Sequence, residues 1–338
     1  MSDFKEDKKA QDDITGRHVL DELSDTQRMK LEDLKRTSQL GLGSLPNASH
    51  KRGTTDQGGA PADMLVRLGA SFSTLGRTEE AVNFYERALA GFRNTKDRAS
   101  EAVTLISLAA AYAQRRESEK AIATYQQAAE VYASIGDGRG EAIAWNCVGL
   151  VHDQQDDPAT ALGYYEQALA ILFDENDKKS EAATLDVIGM AQRRLGNLPD
   201  AFDAHKQALE IRRHMGDIAG EASTRHAIAL VYEEKGETEK ALAFYEWALQ
   251  LREDARDRSG EAITCYNLSR LYEKMNYLDQ AEKLMARCVQ IEASLDHPDL
   301  SKDEAALARL RSKRRQQRKI HEETVAMPRI DLDLPDDH

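Results

Sequence analysis

A period of forty residues constrains this chain more than any other feature of its sequence. Alanine returns at six positions without a gap: Ala81, Ala121, Ala161, Ala201, Ala241 and Ala281. A second series is equally regular and ends in cysteine: Ala88, Ala128, Ala168, Ala208, Ala248 and Cys288. A constant period of about 20–50 residues indicates supersecondary units that stack and bury a shared core. The chain therefore has to fold as an array of about six similar units.

Each unit contains two amphipathic helical patterns. In the third unit, residues at helical spacing form one stripe in Trp145, Val148, Gly149 and His152 and a second in Ala161, Tyr165, Ala168, Leu169 and Leu172. Side chains three and four positions apart share one face of a helix. The alanine series indicates where two helices approach to about 8–10 Å, because a longer side chain would hold them apart.

Residues typical of helix ends stand between these patterns. Within the units they are Gly76, Asp156, Gly196, Gly236 and Asn276, with Arg116 as the exception, and at the junctions they are Gly136, Asn176 and Gly216. Such residues tolerate the left-handed conformation that ends a helix. Aspartates follow at each junction and are predicted to cap the next helix: Asp97, Asp137, Asp177, Asp217 and Asp257. The second helices are predicted to begin with caps at Thr78, Ser118 and Thr238, or with Pro158 and Pro199 in their first turn.

The order of small and large residues resembles the tetratricopeptide repeat. The matching residues are Leu68, Gly69, Phe72, Ala81, Tyr85 and Ala88 in the first unit and Trp145, Gly149, Ala161, Tyr165 and Ala168 in the third. The resemblance covers about residues 62–295. The unit in this chain has forty residues, whereas the usual repeat has about 34. The longer unit, with its junctions Gly136–Ala142 and Gly216–Ala222, is similar to the repeats of LGN and rapsyn, and Asp296–Leu300 is similar to a kinesin light chain junction. The resemblance implies an all-α fold, a right-handed α-solenoid of about six repeats with a C-terminal capping helix.

The segments outside the array differ from it in composition. Residues 1–13 are predicted to be disordered, 14–39 to form an N-terminal helix and 40–60 a flexible linker. The array is assigned to 61–300, with repeats starting near 62, 102, 142, 182, 222 and 262. A basic capping helix at 301–324 and a disordered acidic tail at 325–338 follow. The N-terminal helix has two possible roles, an intramolecular contact with the array or a second binding element for a partner.

Charge and motif content restrict the function classes. A net charge of −13 argues against nucleic acid as a partner. The longest apolar runs fall short of the roughly 18 residues of a membrane span, and the N-terminus lacks the apolar core of a signal peptide. Cys147, Cys265 and Cys288 are odd in number and lack metal-ligand spacing, which favours reduced thiols and a cytoplasmic location. No catalytic residue, cofactor, metal or small-molecule substrate is predicted.

Several local patterns have a structural explanation. The glycine-rich run 136–140 does not follow a strand, so it is interpreted as an inter-repeat turn and not as a phosphate loop. The acidic run 174–177 lacks the glycine and glutamate of a calcium loop. His205 replaces a tyrosine and is predicted to be a core residue, Cys265 and Cys288 are predicted to be core fillers, and Trp247 is predicted to be partly exposed. The basic run 313–319 has two interpretations, a solvated part of the capping helix or a targeting or acidic-surface contact.

The family resemblance also implies a binding surface, because first helices of tetratricopeptide repeats line a concave groove. The predicted groove residues are Asn146, Leu150, Asp153, Asp186, Met190, Arg193, Arg194, His226, Leu230, Glu233, Asn267 and Arg270. Asn267 matches the asparagine that bonds a bound peptide's backbone in similar repeats. The first two repeats present a more apolar stretch: Val66, Ala70, Ile106, Ala110 and Gln114. Arg193 and Arg194 either face a ligand or pair with Glu233 and Glu234 on the neighbouring helix.

The leading hypothesis is a non-enzymatic adaptor or scaffold that binds a peptide or helix of a partner protein in this groove. The alternative is a structural component of a cytoskeletal, microtubule-associated or ciliary assembly.

Overall fold

The computed structural model describes residues 61–326, and the side chains up to residue 320. This part of the chain contains thirteen helices and no strand. The first helices of the six repeats are α1 (Ala62–Thr74), α3 (Arg98–Gln114), α5 (Gly138–Gln154), α7 (Lys178–Arg194), α9 (Ile218–Glu234) and α11 (Arg258–Lys274). The second helices are α2 (Thr78–Thr95), α4 (Ser118–Ile135), α6 (Pro158–Asp174), α8 (Leu198–Met215), α10 (Thr238–Asp254) and α12 (Leu278–Ser294), and α13 (Leu300–Ala326) follows the array.

The predicted all-α array of helix-turn-helix repeats is confirmed. The described residues divide after Val151 into two compact units, and in each unit the helices pack on their neighbours in chain order. The predictions for residues 1–13, 14–39, 40–60 and the end of the acidic tail lie outside the described residues. The proposed segment boundaries remain predictions.

The alanine positions lie at the closest helix contacts. All six members of the Ala81 series are 0% exposed, and so are the five alanines of the Ala88 series. Cys288, which ends the second series, is 1% exposed. The period therefore identified the packing register correctly, and Cys288 fills a core position as predicted.

Helix ends recur every twenty residues in the left-handed conformation. The residues with positive φ are Gly76, Lys96, Arg116, Gly136, Asp156, Asn176, Gly196, Gly216, Gly236, Arg256, Asn276 and Asp296. Arg116 follows the rule after all, with φ of 60°, although arginine does not favour this region. The turn geometry fixes the conformation at this position, because the next helix must begin in the same register.

Helix starts follow the prediction at the junctions, and Pro158 and Pro199 lie in the first turns of their helices as predicted. Each junction aspartate accepts a hydrogen bond of 2.9–3.2 Å from the backbone N–H three residues later: Asp97, Asp137, Asp177, Asp217 and Asp257. The caps predicted at Thr78, Ser118 and Thr238 are wrong, because each of these residues is already the first residue of its helix. Their N-cap positions hold residues that make no side-chain cap: Arg77, Glu117 and Glu237.

Helix α13 closes the last repeat, as the sequence predicted. Leu307 and Leu310 are buried in one cluster with Met285 and Ile291 of α12. Its basic side chains also contact acidic residues of the last repeat: Arg309 and Lys313 pair with Glu273, Arg311 and Arg314 with Glu282, and Arg314 and Arg318 with Asp279. These contacts support the interpretation of the basic run as part of the capping helix.

The alanine contacts yield a test of the packing register. Ala161→Leu places three extra carbons at a fully buried position, and we expect it to lower the free energy of unfolding by about 1–3 kcal/mol through overpacking. Urea denaturation of the full chain measures the change. Ala170→Leu, at an exposed position of the same helix, is the control. Equal stability of the two variants would contradict the register.

Candidate functional site

One row of side chains on the first helices is partly accessible and differs between repeats. Met190 on α7, Leu230 on α9 and Arg270 on α11 stand forty residues apart, and all three are half-buried. In the other unit, Leu150 on α5 holds the same position and is also half-buried. We call Met190, Leu230 and Arg270 the variable row. It offers two apolar side chains followed by a cationic one.

Charged side chains at the ends of the first helices of repeats three, four and five pair with the next repeat, and Glu273 of repeat six pairs with Lys313 of α13. The pairs join residues 40 or 41 positions apart and form what we call the charge ladder: Asp153–Arg194, Arg193–Glu234, Glu233–Lys274 and Glu273–Lys313. Of the two possibilities for Arg193 and Arg194, the structure shows the pairing with neighbouring helices.

The ion pairs of the charge ladder differ in burial, and burial determines how much each pair contributes to stability. Arg194 and Asp153 are 12% and 5% exposed, so this pair is largely removed from water. Arg193 is 5% exposed, but its partner Glu234 is 42% exposed and screened by solvent. Exposed pairs contribute only about 0–1 kcal/mol, whereas removal of one member of a buried pair leaves an uncompensated charge. The ladder therefore fixes the helix ends most firmly at Asp153 and Arg194.

Two predicted groove residues, His226 and Asn267, lie in the interior. They are 0% and 3% exposed. Asn267 Nδ2 lies 3.1 Å from His226 Nε2, and Thr264 Oγ1 lies 3.3 Å from His226 Nδ1. Burial and the nearby cations Arg252 and Arg193 hold the pKa of His226 well below its ordinary value. The ring is therefore neutral at pH 7, with Nε2 accepting from the Asn267 amide and Nδ1–H donating to Thr264.

Asp186, another predicted groove residue, belongs to a polar cluster between three helices. His205 Nδ1 of α8 is 2.8 Å from its Oδ1, and Arg212 of α8 and Thr224 of α9 lie 2.7 and 2.9 Å from its Oδ2. Burial alone would raise the pKa of Asp186, but the charge of Arg212 and the hydrogen bonds from His205 and Thr224 outweigh it and lower the pKa. The carboxylate is therefore ionised at pH 7 and its oxygens are occupied.

Sequence reasoning identified His205 as a core residue and did not find its partners. His205 is 0% exposed, and a Cβ at Gly189 would stand 2.6 Å from its Nε2. The missing signal lies in the forty-residue register: Asp186 and Thr224 are 38 residues apart, as are His226 and Thr264. The same contact between neighbouring repeats therefore occurs twice, once with an aspartate and once with a histidine facing the threonine. Trp247, at 51% exposed, is partly accessible as predicted.

No helix within residues 61–326 is both long enough and apolar enough to cross a membrane. The polar arrangements described above are hydrogen-bonded pairs within the repeat packing. The expected lack of a catalytic group stays a prediction.

The repeated helix pairs define a helical-repeat protein of the class that builds extended binding surfaces. A family model for the tetratricopeptide repeat matches residues 61–134, 140–214 and 220–294. The chain belongs to the tetratricopeptide repeat family, whose members are generally non-catalytic interaction scaffolds. No curated protein matches the chain.

Solved structures share the fold at low sequence identity. BtubC (BKLC) from P. vanneervenii aligns with a TM-score of 0.57 and 19% identity, over 69% of this chain and 92% of that one. A signal transduction ATPase with a tetratricopeptide repeat sensor from Pyrococcus horikoshii gives 0.62 and 20%, over 74% of this chain and 38% of that one. A Rap protein complexed with competence and sporulation factor gives 0.52 and 15%, over 76% of each chain.

The Asp186 cluster predicts a pH-dependent contribution to stability. Asp186→Asn removes the charge that Arg212 faces, so we expect a loss of about 2–4 kcal/mol at pH 7. Because the folded-state pKa of Asp186 is lowered, this contribution is present above about pH 4 and disappears as the pH falls through the folded pKa. Urea denaturation at pH 7 and at about pH 3 measures both values.

The exposed Asp203 on the same helix pair provides the control for this comparison. Asp203→Asn should change stability little at either pH. A difference between wild type and Asp186→Asn that is the same at both pH values would contradict the ionised assignment.

Proposed function

We propose that the chain is a non-enzymatic adaptor that binds a peptide or helix of a partner protein along the first helices of its repeats. The observation that carries this proposal is the variable row. The packing positions hold the same small residue in repeat after repeat, whereas Met190, Leu230 and Arg270 are partly accessible and differ. Conserved packing between the repeats explains folding, and the differing accessible positions supply specificity.

The chemistry of the row suggests the partner's character. Met190 and Leu230 favour apolar side chains, and Arg270 favours an acidic residue at one end of the bound segment. The charge ladder already engages Arg193, Arg194 and Glu233, so the proposed segment does not need both charge signs. In the other unit, the half-buried residues Val66, Ala70, Ala110 and Leu150 favour an apolar segment.

One further observation supports a peptide ligand. Among the proteins of similar fold, the Rap protein has been crystallised in complex with competence and sporulation factor. The predicted cytoplasmic location and the role of residues 14–39, as an intramolecular contact or a second binding element, belong to this proposal.

A second candidate is a structural component of a cytoskeletal, microtubule-associated or ciliary assembly. The exposed Trp247 on the second helix α10 favours it. Its ring packs edge-on against Phe244 at 5.1 Å, and the Arg225 guanidinium lies 5.1 Å from it. Such a half-exposed aromatic on a second helix would serve an assembly that contacts both faces of the array.

A peptide selection separates the two candidates. Peptides selected from a random display library on the full chain are measured by fluorescence polarisation. We expect Met190→Glu combined with Leu230→Glu to weaken binding at least about tenfold, which is about 1.4 kcal/mol, because a buried carboxylate replaces an apolar contact.

The matched control is Trp247→Gln, which alters an exposed aromatic on a second helix. It should leave peptide affinity within about twofold, and urea midpoints verify that both variants remain folded. The opposite pattern, with affinity lost only in Trp247→Gln, would refute the first-helix site and favour the structural candidate.

A further inference from the structure

A cluster of potential metal ligands lies where the last repeat meets the C-terminal helix. Cys288 and Glu292 on α12 and Asp303 on α13 are 1%, 5% and 3% exposed. One ligand atom from each lies within 4.8 Å of the others. Cys288 Sγ is 3.7 Å from Asp303 Oδ2, and His297 Nδ1, in the turn between the helices, is 3.5 Å from Glu292 Oε1.

The sequence departs from the other repeats at two of these positions. The position of Cys288 holds alanine in the other five repeats. The position of Glu292 holds Phe92, Tyr132, Leu172, Arg212 and Arg252 in the preceding repeats. A thiol, an acid and the facing Asp303 therefore appear together at one buried spot, where the other repeats place a methyl group and an apolar or cationic side chain.

Two adjacent carboxyl groups in the interior require neutralisation. Water no longer stabilises either charge at this depth, so two ionised carboxylates here need a cation or a proton between them. Glu292 Oε2 is buried and receives no hydrogen bond within the described residues. One shared proton would neutralise only half of the pair and would leave one negative charge in the interior.

A zinc ion satisfies all three groups at once. Zinc binds cysteine sulfur at about 2.3 Å and carboxylate oxygen at about 2.0–2.2 Å, in tetrahedral geometry. These bond lengths place sulfur and oxygen ligands about 3.6 Å apart, close to the 3.7 Å between Cys288 Sγ and Asp303 Oδ2. A thiolate ligand favours zinc over magnesium or calcium.

We propose that Cys288, Glu292 and Asp303 bind one zinc ion that fastens the C-terminal helix to the last repeat. His297, whose Nδ1 lies 3.5 Å from Glu292 Oε1, is the proposed fourth ligand. The ion joins a ligand on α13 to two on α12, so it adds a direct link to the contacts of Leu307 and Leu310. Zinc binding displaces the protons of the thiol and carboxyl groups. The site is independent of the proposed adaptor role.

Zinc titration of the full chain tests the proposal. The reduced, chelator-treated protein is titrated with Zn²⁺ in competition with a chromophoric chelator. We expect one tight equivalent, a rise in the thermal midpoint on zinc addition, and cobalt–thiolate absorption bands when Co²⁺ replaces zinc. Cys288→Ser combined with Asp303→Asn should weaken zinc binding about 100-fold or more and abolish those bands.

Cys147→Ser is the control, because Cys147 is a half-buried thiol in the other unit and its loss should change neither affinity nor spectrum. Circular dichroism verifies that the double variant keeps its helices. The cobalt spectrum of the wild-type chain tests the site even if that variant does not fold. Absence of stoichiometric zinc uptake, or equal affinity in wild type and double variant, would show a proton-sharing acid pair only and would overturn the proposal.

Discussion

The close approach of neighbouring helices at the two alanine series is the constraint on which the rest of the structure depends. At Ala161 and Ala168, as at their equivalents, no solvent-accessible surface remains, so a longer side chain would separate the helices. The left-handed turns return every twenty residues and keep this contact in register. A side chain on one first helix therefore meets the residue about forty positions later, and the charge ladder is a direct consequence.

The register fixes positions and leaves the chemistry at those positions open. The position four residues after the second alanine of each repeat shows this, because it is apolar in Phe92, Tyr132 and Leu172. Arg252 at the equivalent position donates instead to the carbonyl of Gly260 and the hydroxyl of Thr264. Both kinds of side chain fill the same space, one by apolar packing and one by a buried cation that donates hydrogen bonds. Glu292 is the exception, since it faces another acid across the same kind of interface, and this exception led to the zinc proposal.

The repeat made most of the fold predictable, whereas the polar contacts were not. The alanine series, the helix pairs and the burial of Leu307 and Leu310 followed from period and residue size. Arg116 was predicted as an exception because residue type was used to locate the left-handed turns, although chain geometry determines them. The Asp186 cluster was missed because its partners come from two other helices, and the 38-residue spacing to Thr224 marks only one of these contacts.

The pairing and burial of polar side chains restrict what the first-helix surface can recognise. Sequence alone placed twelve residues in a groove and allowed their charges to meet a ligand or one another. The pairing of Arg194 with Asp153 and the burial of His226 and Asn267 give these side chains structural partners. Any ligand that recruited them would first have to replace those bonds, and an exposed contact seldom compensates for a buried pair that is broken. Recognition at the accessible apolar residues avoids this cost, so the proposed site is narrower and more apolar than the sequence suggested.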